Sequence, residues 1–515
     1  MSDNLNPSGG TSVMKKSWSM RMLEALERAG NKLPDPVIIF IWLGAIILVL
    51  SAIGEALGWQ AVNPATNETI RAVSLLNGPG IRKVVENVTR NLANFGPFTA
   101  IITIMIGVGI ADGTGLLKTL MVKSVSRLPR WAVTTAIVFI GLNSNVASDT
   151  GFVALPPIAA IIFISMGRHP FIGIAAAFGS TAAGFNACLL PVSGDVIVAA
   201  MTEAAAAIID PTIMVNPLVN YYIMAFSVIP LTIVMTLVVE KVIAPRFQDV
   251  SGINMQVGSI TDITPEQNRG LRNAGIALAL TLGVIFLGAI PGGPLRNEQG
   301  GLLPSALINA SVFWMFLCFV IPGIVYGKTV GVIKKDTDGV KFAASGVVTV
   351  AGYVVLAFVA AQFLTWFAWS NLGVLMAING AMFLQLIGLT GLPLAIGVTV
   401  LVAFINLFMG SQTAKWALVS TVLVPMLMLM DFHPTFTLAI YRIGDSVTNG
   451  LSPLFPYFPV LVGFLVHYDK KAGMGTAFSL MLPICIAAYI VFLGVLIPWF
   501  LLDLPLGPAG MIWMP

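Results

Sequence analysis

The chain has 515 residues, 57% of them apolar and only 10% charged, with a mean hydropathy of +0.91 and a formal net charge of +4. A soluble domain carries about 25% charged residues, so this composition cannot cover a water-facing surface. It excludes a soluble enzyme, a nucleic-acid partner and intrinsic disorder, and it turns the length into a count of membrane crossings.

Residues 1–35 are mostly polar and read as a cytoplasmic N-terminal segment, not a signal peptide. At about 20 apolar residues per crossing, nine full crossings are expected, at 36–58, 93–115, 171–208, 219–243, 273–292, 303–326, 344–366, 435–468 and 474–502. Two of them are too long for one straight helix. The run 171–208 contains Gly184, Asn186, Pro191 and Gly194, and 435–468 contains Gly444, Asn449, Gly450, Pro453 and Pro456. Both read as helices broken midway. Two further apolar stretches, 131–166 and 393–430, have polar centres at NSNVASDT (143–150) and GSQTAK (410–415) and read as re-entrant hairpins. Such a loop is tolerated at membrane depth only where protein or a watery cavity surrounds it. The expected organisation is a first membrane half over 36–245, a cytoplasmic linker over 246–272 and a second half over 273–515. The fold class is therefore an all-α polytopic membrane protein.

With the N-terminus inside, 20 of the 27 Lys and Arg residues fall in inner segments and 5 in outer ones, leaving Lys415 and Arg442 in the membrane. This obeys the positive-inside rule, provided that the hairpins do not cross.

The chain also carries a faint duplication. LeuPro at 128–129 matches 392–393, Ser148-Asp149-Thr150 matches Ser411-Gln412-Thr413, and His169-Pro170 matches His433-Pro434. Asn186 matches Asn449 and Pro191 matches Pro453, all at offsets of 262 to 264 residues. The topology puts the two copies in opposite senses across the bilayer. Inverted repeats with broken helices mark secondary transporters, which bind solute near the midplane.

Ionisable groups at membrane depth are expensive and usually functional. The candidates are Asp149, Asp195, Lys415, Arg442 and Asp445, with Asn145, Ser148, Asn186, Asn406, Ser411, Thr413 and Asn449 around them. Two chemistries fit. Asn, Ser and Thr oxygens with unwound carbonyls suit a cation such as Na⁺, for which Asn145, Ser148, Asn186 and Asn449 are the candidate ligands. Helix N-termini with Arg442 or Lys415 suit a carboxylate. Asp195 or Asp445 could instead carry H⁺. Structural roles stand beside these: Arg442 and Asp445, three apart, neutralising each other; Asp149 capping a helix; Lys415 snorkelling to a rim; Trp416 anchoring at the interface. His169 and His433, each before a proline, read as structural. GIVYGKT at 323–329 is one residue short of a phosphate-binding loop. No HExxH or GxSxG occurs, and the three cysteines (Cys188, Cys318, Cys485) lack paired spacing. No resident cofactor is expected.

The motifs Glu27-Arg28-Ala29-Gly30-Asn31-Lys32-Leu33-Pro34, Ser148-Asp149 with Pro156-Pro157, and Gly167-Arg168-His169-Pro170 resemble the AbgT family of p-aminobenzoyl-glutamate transporters. So do Ala414-Lys415-Trp416-Ala417, Tyr441-Arg442-Ile443-Gly444-Asp445-Ser446 and Ser452-Pro453. The resemblance implies nine transmembrane helices plus two hairpins, a homodimer in a bacterial inner membrane, and a core carrying the substrate path inside a dimerising frame. It implies import of p-aminobenzoyl-glutamate or export of p-aminobenzoate-like antimetabolites such as sulfonamides. Positions matching the family's functional residues are Asp195, Asn406, Trp416, Pro434, Arg442, Asp445 and Pro453, while Thr413 falls where some members have serine. The resulting expectation is a secondary transporter of small aromatic carboxylates. Arg442 and the hairpin-tip amides would bind the carboxylate, and Trp416 would stack on the ring. Asp195 and Asp445 would couple Na⁺ or H⁺, and Pro191, Pro434 and Pro453 would shape the helix breaks. The rivals are a Na⁺-coupled dicarboxylate carrier, an antimetabolite exporter and an intramembrane enzyme.

Overall fold

A computed structural model describes residues 36–62, 68–125, 129, 132–147, 150–247, 263–301 and 305–515. These residues are nearly all helical; a two-stranded hairpin, β1 (Gln60–Val62) with β2 (Thr69–Arg71), is the exception.

A scaffold is formed by α1 (Pro36–Ala56), the short α2 (Gly78–Glu86) and α3 (Gly96–Gly113) from the first half of the sequence. Then come α4 (Leu116–Val125), α5 (Val133–Asn143), α6 (Thr150–Ser165), α7 (Pro170–Ala183), α8 (Ser193–Ala206) and α9 (Tyr221–Val238). The chain continues through α10 (Pro265–Ala289), α11 (Ser311–Val330), α12 (Asp336–Thr349) and α13 (Ala351–Trp369), which return to the scaffold. It closes with α14 (Leu372–Leu386), α15 (Gly391–Asn406), α16 (Gln412–Met428), α17 (Pro434–Val447), α18 (Phe458–Tyr468) and α19 (Met474–Leu501).

The order α4 to α9 is repeated by α14 to α19. In each set a short helix leads into a helical hairpin, then a helix, a break and a second helix. Both pre-break helices start alike. His169 and His433 are N-caps whose Nδ1 accepts from the backbone N–H of Phe171 (3.1 Å) and Thr435 (3.3 Å), and Pro170 and Pro434 follow at the first helical position. A proline costs nothing there, because that N–H has no helical partner. Each hairpin packs on the pre-break helix of its own half: α5 and α6 on α7, α15 and α16 on α17. The post-break helices cross over, α8 onto α16 and α17, α18 onto α6 and α7. The frame packs around this core, α1 on α13, and α3 on α8, α11 and α12.

Among the described residues six helices are long and apolar enough to cross a membrane: α1, α9, α10, α11, α13 and α19. The chain bends by 117° between α14 and α15, so these two form a bent pair. Some expected boundaries shift. The run placed at 273–292 begins at Pro265, because Thr264 caps that helix and Gln267 bonds back to it. The run 303–326 becomes a helix over 311–330, and 344–366 straddles α12 and α13, which part at Val350.

Candidate functional site

The two hairpin tips and the two helix breaks meet around one cavity of about 250 Å³. Asn145 comes from the first tip; Phe185, Asn186, Val192, Ser193, Gly194 and Ile197 from the first break and the start of α8. Gly410 to Thr413 come from the second tip, Phe455 to Tyr457 from the second break, and Met105, Thr349 and Val350 from the frame. Two helix N-termini open onto it. Ser411 is the N-cap of α16, with its hydroxyl accepting from Ala414 N–H at 3.4 Å, and Ser193 and Gly194 begin α8. Partial positive charge collects at such ends. Gly410 is required at the tip, because a Cβ there would lie 2.5 Å from the Leu454 carbonyl oxygen.

Behind this wall lies a buried polar network. Arg442 on α17 pairs with Asp195 on α8, and Lys415 on α16 pairs with Asp445 on α17, the latter at 2.6 Å. Lys415 also donates to Asn406 Oδ1. Two asparagines stitch the charges together. Asn186 Oδ1 accepts from Gln412 Nε2 (2.7 Å) and Arg442 Nε (3.2 Å), while its Nδ2 donates to Asp445 Oδ2 (3.1 Å) and Ser446 Oγ (2.8 Å). Asn406 Nδ2 donates to the Asp445 carbonyl (2.8 Å) and Asn449 Oδ1 (2.8 Å). Asp195 has a second duty, accepting from Val192 N–H at 2.7 Å and so capping its own helix. The four charges cancel, as burial demands.

The expected residues thus converge, with redistributed partners. Arg442 and Asp445 do not neutralise each other; each reaches across to another helix. Lys415 does not snorkel, being fully buried in its ion pair. Asn186, Ser411, Gln412 and Thr413 line the cavity, whereas Asp195, Asn406, Arg442, Asp445 and Asn449 stand behind it. Trp416 is also off the wall. It is fully buried, stacks on Tyr441 at 4.0 Å, and donates its indole N–H to Val198 O (3.1 Å) and Thr202 Oγ1 (3.0 Å). Pro191 lies just ahead of α8 and Pro453 within the second connector, while Pro434 opens α17 instead of interrupting a helix. Ser148 and Asp149 lie outside the described residues. Of the other candidate cation ligands, Asn186 and Asn449 commit their side-chain oxygens to donors. Asn145 Oδ1 is buried without a partner among the described residues.

Sequence reasoning did not select Phe185, Phe455 and Tyr457 for the wall, nor Tyr441 for the network, whereas Lys415 stands among its ionisable candidates. Tyr441 donates its hydroxyl to the Gln412 carbonyl at 2.8 Å, tying α17 to the hairpin tip.

Comparison with known proteins agrees with this geometry. Residues 21–514 match the family described as "AbgT putative transporter family". The chain is 35% identical over 501 residues to the p-aminobenzoyl-glutamate transport protein of Escherichia coli (strain K12), covering 97% of this chain and 98% of that protein. Two solved structures share the fold. The YdaH transporter of Alcanivorax borkumensis gives a TM-score of 0.88 at 34% identity, over 92% of this chain and 100% of that one. MtrF of Neisseria gonorrhoeae, said to illuminate a class of antimetabolite efflux pumps, gives 0.87 at 35% identity, over 95% and 100%. Duplicated hairpins, paired helix breaks and the whole-length match lead to one assignment: this chain belongs to the AbgT family of membrane transporters.

Proposed function

We propose that the protein is an ion-gradient-driven carrier of p-aminobenzoyl-glutamate or related small aromatic carboxylates, moving them through the cavity between its two repeats. The observation that carries this reading is the closure of one cavity by both hairpin tips and both helix breaks. A carboxylate there meets the first turns of α8 and α16, where free N–H groups and hydroxyls favour an anion. Arg442, held by Asp195 and Asn186, supports that wall from behind.

In this reading α1, α3, the broken α7–α8, α9, α10, α11, α13, the broken α17–α18 and α19 make nine crossings. The repeats are inverted, the protein sits in a bacterial inner membrane with its N-terminus in the cytoplasm, and two copies form a homodimer. Ser148, Asp149, Asn186, Ser411 and Thr413 contact the solute, and Asp195 and Asp445 are the sites of ion coupling. Counterflow of p-aminobenzoyl-glutamate in proteoliposomes, with and without Na⁺ and pH gradients, tests the reading. Labelled exchange competed by succinate but not by p-aminobenzoyl-glutamate would overturn it in favour of a dicarboxylate carrier. Export of sulfonamide-like antimetabolites is the second reading. It draws on the likeness to MtrF, and lowered sulfonamide accumulation in expressing cells would favour it.

A further inference from the structure

We infer that the carboxylate of the solute is seated at the start of α8, on the hydroxyl of Ser193 and the backbone N–H groups of Ser193 and Gly194, and that Ser193 sets the preference for a charged acid over its neutral amide. The inference rests on the carrier reading above and deepens it, by assigning which of the two helix starts reads the charge and through which atoms.

The two helix starts on the cavity wall differ in what they have left to give. An α-helix begins with N–H groups that lack a helical partner, and a side-chain oxygen ahead of the first turn ordinarily takes one of them. At α16 this is done from within, where the Ser411 hydroxyl accepts from Ala414 N–H at 3.4 Å. At α8 the N-cap is Val192, which has no side-chain oxygen to offer. The acid of the first turn does not supply the missing cap. Asp195 gives one oxygen to Val192 N–H at 2.7 Å and the other to Arg442. Its own N–H is bonded to Val192 O at 3.0 Å. The N–H groups of Ser193 and Gly194 are left without a partner among the described residues.

A second observation is independent of the helix end. Ser193 is only 8% exposed and stands on the cavity wall, yet its hydroxyl makes no hydrogen bond among the described residues. A buried hydroxyl in that condition costs free energy that an acceptor in the cavity removes. Beside it Gly194 carries no side chain. The atoms nearest to where a Cβ would stand are Gln412 Oε1 at 3.4 Å and Val192 Cγ2 at 3.7 Å. The backbone there is open to a close-lying ligand atom, where any other residue would place a methyl group. Charge points the same way. Asp195 is answered by Arg442, so that pair adds no net charge beneath the seat, and an anion meets the positive end of the helix. The hydroxyl and the two N–H groups can all donate. An ionised carboxylate offers acceptors on both oxygens, whereas a carboxamide offers one and turns its NH2 on the same donors. Bonds to the ionised form are also the stronger ones.

The test uses the full chain in nanodiscs and titrates p-aminobenzoate and its neutral counterpart, p-aminobenzamide, by calorimetry. Ser193→Ala should weaken p-aminobenzoate by roughly 10-fold while changing the amide by less than about threefold. Ser193→Cys, nearly isosteric but a far weaker donor, should move the ratio of the two affinities in the same direction. Ser193→Thr keeps the hydroxyl and should hold that ratio within about twofold of the wild type. Ser411→Ala, at a hydroxyl already spent on its own helix, should change both ligands by similar factors. Equal losses for acid and amide in Ser193→Ala, or a ratio moved as far by Ser411→Ala, overturn the inference. A wild-type chain that does not bind the acid removes the aromatic-carboxylate reading and the seat with it. A wild-type chain that binds the acid, with a ratio indifferent to Ser193→Ala and Ser193→Cys, removes the seat alone and leaves the carrier reading standing.

Discussion

The two repeats place different chemistry on the same backbone device. Two residues beyond Thr150 stands Phe152; two residues beyond Thr413 stands Lys415, and both are fully buried. The ninth residue of α7 is Phe178 and the ninth of α17 is Arg442. In the first repeat these positions make an edge-to-face ring pair at 5.4 Å. In the second they are two cations, each answered by a carboxylate. The two halves thus share the hairpins, the histidine caps and the breaks, while their hub residues differ, aromatic in one half and ionic in the other. The difference teaches where the molecule is vulnerable. Ring contacts contribute about 0.5–1.5 kcal/mol beyond their buried area, whereas breaking one partner of a buried ion pair costs about 3–5 kcal/mol because the survivor is stranded.

The sharpest way to break this comparison is to treat the two hubs alike. Lys415→Met strands Asp445 and should lower stability in detergent by about 3–5 kcal/mol. Adding Asp445→Asn should recover more than half of that loss in a thermal melt. If Lys415→Met proves harmless, the ionic half is not held by charge pairing. Next in size is the other pair. Asp195→Asn and Arg442→Gln should each impair both folding and uptake, and a double-mutant cycle should return a coupling of about 2–3 kcal/mol; additive losses would show that the two side chains act separately. Phe152→Leu keeps an apolar hub and should cost only about 1–1.5 kcal/mol, a gap from Lys415→Met that unfolding measured on both proteins will expose. The smallest effect is expected at the tip. Ser411→Ala removes the N-cap of α16 and should cost about 1 kcal/mol, seen as a raised KM for uptake with folding nearly intact.

Much of this architecture was legible beforehand. Pro, Gly and Asn inside over-long apolar runs announced both breaks, and polar centres flanked by apolar arms announced both hairpins. What escaped has physical causes. An apolar window sees hydrocarbon length, not caps, so the helix beginning at Pro265 was started eight residues late despite its Thr264–Gln267 cap. Hydrophobicity runs unbroken across Val350, so two helices there read as one. Charge partners were the least readable. Arg442 and Asp195 are 247 positions apart, and spacing along one helix pointed to the nearer Asp445. Ring contacts such as Phe152 with Tyr457 carry no local pattern, since any phenylalanine on an apolar helix passes for lipid-facing or core.

Asn186 has a consequence for how the molecule changes shape. Its one amide touches Arg442, Gln412, Asp445 and Ser446, so it belongs to both ion pairs at once. Drawing the first break away from α17 strips both pairs of their shared bridge in the same movement. The first break and the two ion pairs are thereby joined at a single side chain, which makes Asn186 the point where a movement of one is felt by the other.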